Sequence, residues 1–286
     1  MRYRFLRFPE GRQKAATFSY DDGCRADIRL SQLFNKHGLK GTFNINSNYI
    51  SAVDGDWHLT EAEIKEHILG KGHEVAVHGA DHRANGLIRK VEGIQDVLKC
   101  RQELERRFDT IIRGMAYPDT GILLFHNETT IADVSAYLKS LDIVYARTLG
   151  SINSKYTLPA DWYQWMPTAH HDDEEVMELV DKFVNYEKIG NYLSADLPKL
   201  FYLWGHAYEF NKNNNWERIE EICEKIGGKD DIWYATNIQI YEYVEAYNSL
   251  VFSADSSRIY NPTSTKVWFQ ADGKIYSVEP GETLKI

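Results

Sequence analysis

The sequence lacks the features of a membrane protein, a disulfide-rich protein or a nucleic-acid-binding protein. No apolar run is long enough to span a bilayer, and the first ten residues lack the continuous apolar core of a signal peptide. There are only three cysteines, an odd number, and no two of them are spaced as CxxC, which argues against a disulfide framework. Positive charge is scarce: 33 Lys and Arg against 42 Asp and Glu give a net charge of −9, which disfavours nucleic acid or an anionic membrane as partner. We expect a cytoplasmic protein, or an extracellular one if a leader has been removed.

Short β-prone runs alternate with amphipathic segments through the first 249 residues. The runs that read as strands begin near residues 15, 41, 74, 110, 143, 162 and 200. The predicted helices cover residues 26–37, 60–72, 88–108, 130–140, 173–188, 216–226 and 237–249. This alternation predicts an α/β fold with a parallel sheet, closed or nearly closed into a barrel at this number of strands.

The pattern changes after residue 249. Residues 250–286 contain short strand-like runs, and Ala271-Asp-Gly-Lys274 is typical of a hairpin turn. We interpret residues 1–249 as the barrel. Residues 250–286 would then be a small, hairpin-rich β appendage packed on it.

Two adjacent carboxylates follow the first of these strands. The run from Ala15 to Tyr20 ends in Asp21 and Asp22, and Gly23 permits a sharp turn. Because successive side chains on a strand point to opposite sides, the two acids can take different roles, one on a metal and one on a proton. Taken alone, the pattern is more typical of a strand followed by a polar Asp-Gly turn.

Three histidines follow other predicted strands. His78 and His82 are four residues apart, so on a helical turn both rings share one face and can bind a cation together with a carboxylate. Two His and one Asp leave open positions on a divalent metal, as catalytic sites do. His206 follows Gly205 and can act as a general acid, with Tyr208-Glu209 just beyond it to orient the ring or to cap the next turn. A solvated loop and a core histidine are the alternatives.

The segment from residue 161 to residue 173 is rich in aromatic and metal-ligating side chains. Trp162 and Trp165 can form a wall on which a sugar ring stacks, with core packing as the alternative. A second metal site at residues 170–173 is conceivable, but helix capping accounts for its acids. Cys24 lies near the proposed site, and we interpret it as a packing residue, because no neighbouring cation activates its thiol.

Three motifs, taken in order, resemble those of the polysaccharide deacetylase family (carbohydrate esterase family four, with a NodB-homology domain). They are Thr17-Phe-Ser-Tyr-Asp-Asp-Gly23, His78-x-x-x-His82 and Leu203-Trp-Gly-His206. The resemblance covers about residues 15–249. It implies a distorted, TIM-like (β/α) barrel of seven or eight strands and a metal-dependent hydrolase that removes acetyl groups from carbohydrates.

The resemblance also implies roles for the residues at the strand ends. Asp21 would be the general base and His206 the general acid. A divalent metal would be bound by Asp22, His78 and His82; zinc is the usual ion, with cobalt, nickel, manganese and iron as alternatives.

Further residues are implied to bind the substrate. A backbone N–H in the segment Tyr117, Pro118 and Asp119 would hold the oxyanion together with the metal. From the aromatic segment described above, and not from the resemblance, we also expect Trp165 and His170 beside the substrate.

Three positions depart from the family pattern. Gly79 stands where a Ser or Thr usually follows the first histidine. The segment Met115–Asp119 lacks the arginine that usually orients the base, and Arg113 is the nearest candidate. Asp161 is the candidate for the aspartate that usually tunes the acid histidine.

The sequence leaves the substrate and the oligomeric state open. An acetylated glycan predicts an open groove with exposed Trp or Tyr. One alternative is an amidase of the allantoinase kind, which acts on a small linear or cyclic amide and predicts a closed pocket with a cationic clamp. Another is a carbohydrate-binding barrel that has lost turnover.

Overall fold

A parallel sheet forms the centre of the fold. The computed structural model describes residues 3–150, 152–187 and 193–286. After a first strand, β1 (Arg4–Arg7), come eight central strands: β2 (Lys14–Asp21), β3 (Gly41–Ile45), β4 (Glu74–Val77), β5 (Gly114–Ala116), β6 (Tyr145–Arg147), β7 (Ala169–His170), β8 (Lys199–Gly205) and β9 (Ile232–Tyr234). Their order is β6-β5-β4-β3-β2-β8-β7, with β9 paired to the first residues of β2, and the pairs are parallel.

The segment 165–170 joins the two edges of this sheet. The Trp165 N–H donates to the Ala146 carbonyl of β6 at 3.1 Å, and the Thr168 N–H donates to the Tyr202 carbonyl of β8 at 2.7 Å. The sheet therefore curls into a distorted barrel, and the predicted α/β barrel fold is confirmed.

Helices connect the strands and pack their apolar residues against the sheet. They are α1 (Ala26–Lys36), α2 (Glu61–Glu63), α3 (Lys90–Phe108), α4 (Ile131–Ser140), α5 (Val176–Val184), α6 (Ala207–Asn213), α7 (Trp216–Ile226) and α8 (Asn237–Asn248). Helix α2 continues as a π-helical turn over Ile64–Ile68, and Thr60 and Glu63 form the predicted capping box at its start. No described helix is long and apolar enough to cross a membrane.

Some local predictions were wrong. The strand expected at residues 162–168 is a 3-10 turn over Trp162–Gln164, because the Asp161 carboxylate caps it by accepting the Tyr163 N–H at 2.9 Å. Helix α6 and strand β9 were not predicted. Helix α5 is shorter than the expected 173–188, of which residue 188 lies outside the described residues.

Two small antiparallel sheets complete the chain. One contains β1, β12 (Val267–Ala271) and β13 (Lys274–Val278), and the other contains β10 (Val251–Phe252), β11 (Arg258–Tyr260) and β14 (Thr283–Lys285). The predicted hairpin joins β12 to β13. Because β1 pairs with β12, residues 4–7 lie in a sheet with C-terminal strands, although the sequence interpretation assigned them to the barrel. The division at residue 249 stays a prediction.

Aromatic packing fixes the strand that carries the two acids. Phe18 and Tyr20 of β2 pack on Phe34 of α1, with ring centroids 4.9 and 5.8 Å apart, and all three rings are fully buried. Burying a side chain of this size stabilises the fold by roughly 1.5–3 kcal/mol. The end of β2 is therefore a rigid support for the residues that follow it.

Candidate active site

The residues predicted at strand ends meet at one rim of the barrel. Asp21 ends β2, His78 follows β4, Tyr117 follows β5 and His206 follows β8. A cavity of about 280 Å³ opens between them. It is lined by Asp21, Asp22, His78, His82, Tyr117, Asp119, Thr120, Leu123, Leu149, Trp204, His206 and Tyr208.

Asp22, His78 and His82 form a compact set of metal-ligand atoms. Asp22 Oδ1 lies 3.5 Å from His78 Nε2 and 3.4 Å from His82 Nε2, and the three ligand atoms lie within 4.8 Å of one another. Asp22 and His82 have positive φ angles of 79° and 52°, a conformation that non-glycine residues seldom adopt. Such strain persists where the surroundings impose it, often at functional sites.

The orientation of His78 fits a metal ligand. Its Nδ1 lies 2.9 Å from the Ala116 carbonyl, so Nδ1 carries the proton and donates it, and Nε2 presents its lone pair to the cavity. This Nε2 is buried and has no hydrogen-bond partner among the described residues. Burial lowers the pKa of His78, which favours the neutral ring that a metal requires. Two imidazoles and one carboxylate suit a divalent ion such as zinc.

Steric crowding explains why residue 79 is a glycine. Gly79 has a φ of +71°, and a Cβ there would lie 2.5 Å from Asp96 Oδ2. Asp96 in turn accepts the Asp81 N–H at 2.9 Å. The Asn46 amide donates to the carbonyls of His78 and Gly79. These contacts hold the loop between the two histidines without the Ser or Thr hydroxyl that the family pattern has there.

Arg147 orients Asp21, and no sequence motif pointed to it. Its Nη2 donates to Asp21 Oδ2, while the Asn44 amide donates to Asp21 Oδ1 at 2.8 Å. The guanidinium is fully buried and lies 4.4 Å from the centroid of the Trp204 ring. Burial raises the pKa of Asp21, but the charge of Arg147 is among the effects that outweigh it, so the pKa is lowered and the carboxylate stays ionised.

Arg113, the candidate taken from the family pattern, does not take this role. It lies before the first residue of β5, beside Thr236 and Ile238, at the end of the barrel away from Asp21. The sequence did contain one indication that Arg147 belongs to the site, namely its position. It directly follows the β-prone run 143–146, as the other site residues follow theirs.

His206 lines the same cavity as the metal-ligand set and lies close to Asp21. Its Nε2 is 3.9 Å from Asp21 Oδ2, and its Nδ1 is 3.2 Å from Glu209 Oε2. Burial lowers the pKa of His206, but the contact with Glu209 and the charge of Asp21 outweigh it, so the pKa is raised. The carboxylate beside the histidine is therefore Glu209. Asp161, the other candidate, caps the turn at Trp162–Gln164 instead.

Of the three residues predicted to supply a backbone N–H for the oxyanion, only Asp119 remains a candidate. The Tyr117 N–H donates to the Arg147 carbonyl at 3.0 Å, so it is not available to a substrate. Pro118 has no N–H and is not among the lining residues. Asp119 lines the cavity with a φ of 52°, and its N–H has no acceptor in the described part of the chain.

The prediction that Trp165 stacks on a substrate is wrong. The ring is only 1% exposed and packs edge-on against Tyr145 and Trp162, with centroids 5.2 and 4.9 Å away. Exposed aromatic surface lies elsewhere. Trp57 is 48% exposed, and its ring centroid is 5.6 Å from that of Tyr208, which lines the cavity.

His170 and Cys24 also lie outside the cavity lining. His170 sits behind His206, with its Nε2 3.2 Å from Glu209 Oε2, so the prediction that it contacts substrate is not supported by its position. Cys24 is buried, and burial raises the pKa of its thiol, which agrees with a packing role.

The chain is similar to known proteins in part of its sequence and in its fold. Residues 8–137 match the polysaccharide deacetylase family model. A protein from Mycobacterium smegmatis assigned to the polysaccharide deacetylases has a TM-score of 0.57 at 16% identity, over 85% of this chain and 94% of that chain. A variant of the peptidoglycan deacetylase PdaC from Bacillus subtilis has a TM-score of 0.50 at 13% identity, over 83% and 94%. No curated protein matches the sequence. The structural likeness shows a shared fold, and residues 8–137 of the chain are similar to the polysaccharide deacetylase family.

Proposed function

We propose that this protein is a metal-dependent hydrolase that removes acetyl groups from an acetylated carbohydrate. The observation that carries the proposal is the grouping of three potential ligands, Asp22, His78 and His82, beside an ionised carboxylate. The Oδ2 atom of that carboxylate, Asp21, lies 3.9 Å from Nε2 of His78 and 3.9 Å from Nε2 of His206. The family match supports the reaction class.

Asp22, His78 and His82 would hold a divalent ion, with zinc as the first choice and cobalt, nickel, manganese or iron as alternatives. Bound there, the ion would act as a Lewis acid on the acetyl carbonyl and would lower the pKa of a bound water. The unpartnered, buried Nε2 of His78 is the structural support for this role.

Asp21 and His206 would move protons in the two halves of the reaction. Asp21 Oδ2 accepts the proton of the attacking water, because Arg147 and Asn44 hold the carboxylate ionised and fixed. The Asp119 N–H would donate to the developing oxyanion. His206 Nε2 then donates a proton to the departing amine or alkoxide.

The lining of the cavity favours an uncharged acetylated sugar over a small anionic amide. No Lys or Arg is among the described residues that line it, so the cationic clamp expected of the amidase alternative is not formed by them. Trp57 offers an exposed ring next to Tyr208, on which a neighbouring pyranose can stack.

Metal analysis combined with acetate release tests the proposal. We expect one metal ion per chain, with acetate released from a panel of N- and O-acetylated oligosaccharides. Asp22→Asn and His82→Ala should lose both metal and turnover, while Asp161→Asn, a matched carboxylate away from the site, should keep both. Metal-loaded protein that binds the oligosaccharides without releasing acetate would instead support the non-catalytic barrel, and ammonia release from small amides would support the amidase.

A further inference from the structure

A second group of potential metal-ligand atoms lies outside the catalytic cavity, where the chain after β7 meets helix α6. His171 Nε2 lies 3.3 Å from Glu209 Oε2 and 3.7 Å from Asp172 Oδ2. Together with His170, these residues offer ligand atoms that lie within 4.8 Å of one another. None of the four is among the residues that line the catalytic cavity. We call His171, Asp172 and Glu209 the second ligand set.

His171 is the buried member of this set. Its side chain is 0% exposed, and neither ring nitrogen has a hydrogen-bond partner among the described residues. A buried polar atom without a partner is uncommon in folded proteins, and a bound ion is one explanation for it. Two carboxylate oxygens lie close to Nε2, yet neither makes a hydrogen bond with it. An Nε2 atom that faces an ion rather than a carboxylate accounts for both observations.

Asp22, His78 and His82, the first ligand set, show the same pattern. His78 Nε2 is buried without a hydrogen-bond partner, although it lies 3.5 Å from Asp22 Oδ1. Ligands of one ion point to the ion and not to one another. At bond lengths of about 2.0–2.2 Å, neighbouring ligand atoms on a tetrahedral ion are about 3.3–3.6 Å apart. The separations of 3.3 and 3.7 Å around His171 Nε2 fit this spacing.

Asp172 is oriented by two asparagines. The amides of Asn213 and Asn215 donate to its two carboxylate oxygens at 2.9 and 3.2 Å. Donors of this kind orient a ligand carboxylate and leave lone pairs for an ion. Helix α5 begins at Val176, and its N-cap residue Glu175 makes no side-chain capping bond. The capping role expected from the sequence is therefore not observed for Asp172.

The other two members of the set are fixed through the backbone. Arg218 of α7 donates to the His171 carbonyl at 2.7 Å, which holds the segment after β7. Glu209 Oε2 accepts the His206 N–H at 3.1 Å, which fixes the carboxylate at the first turn of α6. The side chains of Asp172 and Glu209 are 29% and 21% exposed, so an ion can reach the set from solvent.

His170 lies beside the set but is not a ligand. The Asp172 N–H donates to His170 Nδ1 at 3.1 Å, so Nδ1 presents a lone pair and the neutral ring carries its proton on Nε2. A protonated nitrogen cannot bind an ion. The set therefore supplies one imidazole and two carboxylates. Such a set suits Mn²⁺ as well as zinc, because Mn²⁺ prefers oxygen ligands.

We propose that His171, Asp172 and Glu209 form a second divalent-cation site, which connects the segment after β7 to helix α6. Two carboxylates this close repel each other, and a divalent ion between them removes that repulsion. The second set has one imidazole where the first has two, so it binds zinc more weakly. The isolated chain therefore holds one ion, and the second site fills when metal is added.

The test is a Mn²⁺ titration of the full chain loaded with one equivalent of zinc, followed by EPR, because free Mn²⁺ gives a signal that is lost on binding. Mn²⁺ binds protein sites less tightly than zinc and should not displace it from the first ligand set. We expect one equivalent of Mn²⁺ to bind. Asp172→Asn should weaken this binding at least about 100-fold, since even changes around a metal ligand typically cost about 10–100-fold. Asp173→Asn is the matched control, because Asp173 accepts the His170 N–H and lies outside the set.

Three results would overturn the proposal. They are no binding of Mn²⁺ by the wild type, binding that Asp172→Asn leaves unchanged, and an equal loss of binding in Asp173→Asn. Glu209→Gln is the second ligand variant and should weaken binding as Asp172→Asn does, so the test stands if one of the two does not fold. Mn²⁺ should also raise the urea midpoint of the wild type but not that of Asp172→Asn, because an ion that binds only the folded chain stabilises it.

The Asp22→Asn variant separates the second site from the first. It lacks a ligand of the first set, so we expect it to bind one equivalent of Mn²⁺ while it releases no acetate. The double variant Asp22→Asn/Asp172→Asn should bind none. Mn²⁺ binding by Asp22→Asn, together with no acetate release by the wild type, would refute the proposed function and leave the second site intact.

Discussion

Replacing Arg147 with glutamine would leave the Asp21 carboxylate buried without its cation. The side chains of Arg147 and Asp21 are 0% and 2% exposed, so water cannot replace the lost contact. An Asp that loses an adjacent Arg typically gains about 1–3 pKa units. Removing one partner of a buried ion pair typically costs about 3–5 kcal/mol of unfolding free energy.

The sign of the pH dependence follows from the direction of the pKa shift. In the wild type the pKa of Asp21 is lowered on folding, so its contribution to stability is present at neutral pH and is lost as the pH falls through that pKa. In the Arg147→Gln variant, the charge that offsets the burial of Asp21 is gone, so the pKa of Asp21 rises. The ionised Asp21 carboxylate then destabilises the fold at neutral pH, and protonation of Asp21 removes this destabilisation. The stability difference between the two proteins should therefore shrink on acidification.

Urea unfolding of the metal-free proteins at about pH 7 and about pH 4.5 measures this difference. The acidic limb of kcat/KM against pH should also move up by about 1–3 units in the variant. Arg113→Gln is the matched control, because Arg113 lies at the other end of the barrel, and it should change neither quantity. A stability difference that is independent of pH, or an equal effect of Arg113→Gln, would refute the assignment of Arg147 to Asp21.

Three further predictions concern single residues. Asp21→Asn should retain the metal and lower turnover roughly 10²–10⁴-fold, and normal turnover would remove the base assignment. His206→Ala should slow poor leaving groups more than good ones, and an equal loss across a leaving-group series would count against an acid role. Burial raises the pKa of Glu74 to about 7, above its unfolded value, so the wild-type unfolding free energy should fall as the pH rises to that value. Glu74→Gln should remove this slope in urea titrations, and a slope that persists would assign it to another group.

Part of the site could be predicted because a parallel barrel gathers its strand ends. Asp21, Asp22, His78 and His206 each follow a recognisable apolar strand, so their meeting at one rim followed from the fold class. Arg147 obeys the same rule. Its strand has only three residues, however, and periodicity carries little signal over that length.

Other features depend on contacts that no local pattern encodes. Trp165 lies between a 3-10 turn and a two-residue strand, so its sequence neighbours do not show which way the ring points. The contact of His170 with Glu209 joins residues from two strand ends, and only the three-dimensional register brings them together. The pairing of β1 with β12 is likewise invisible to propensity, because it joins the two ends of the chain and residues 4–7 were not predicted as a strand.

That pairing has a consequence for the order in which the chain folds. Arg4 pairs with Ala271 and Arg7 with Trp268, so this ladder closes a loop that spans most of the chain. During synthesis β1 has no partner until β12 has been made, and contacts of such long range slow folding. A chain that stops at residue 249 would leave β1 as an unpaired edge next to β2, the strand that carries Asp21. Such an edge invites association between copies. Once β12 has been made, its pairing with β1 therefore covers this edge in the finished chain.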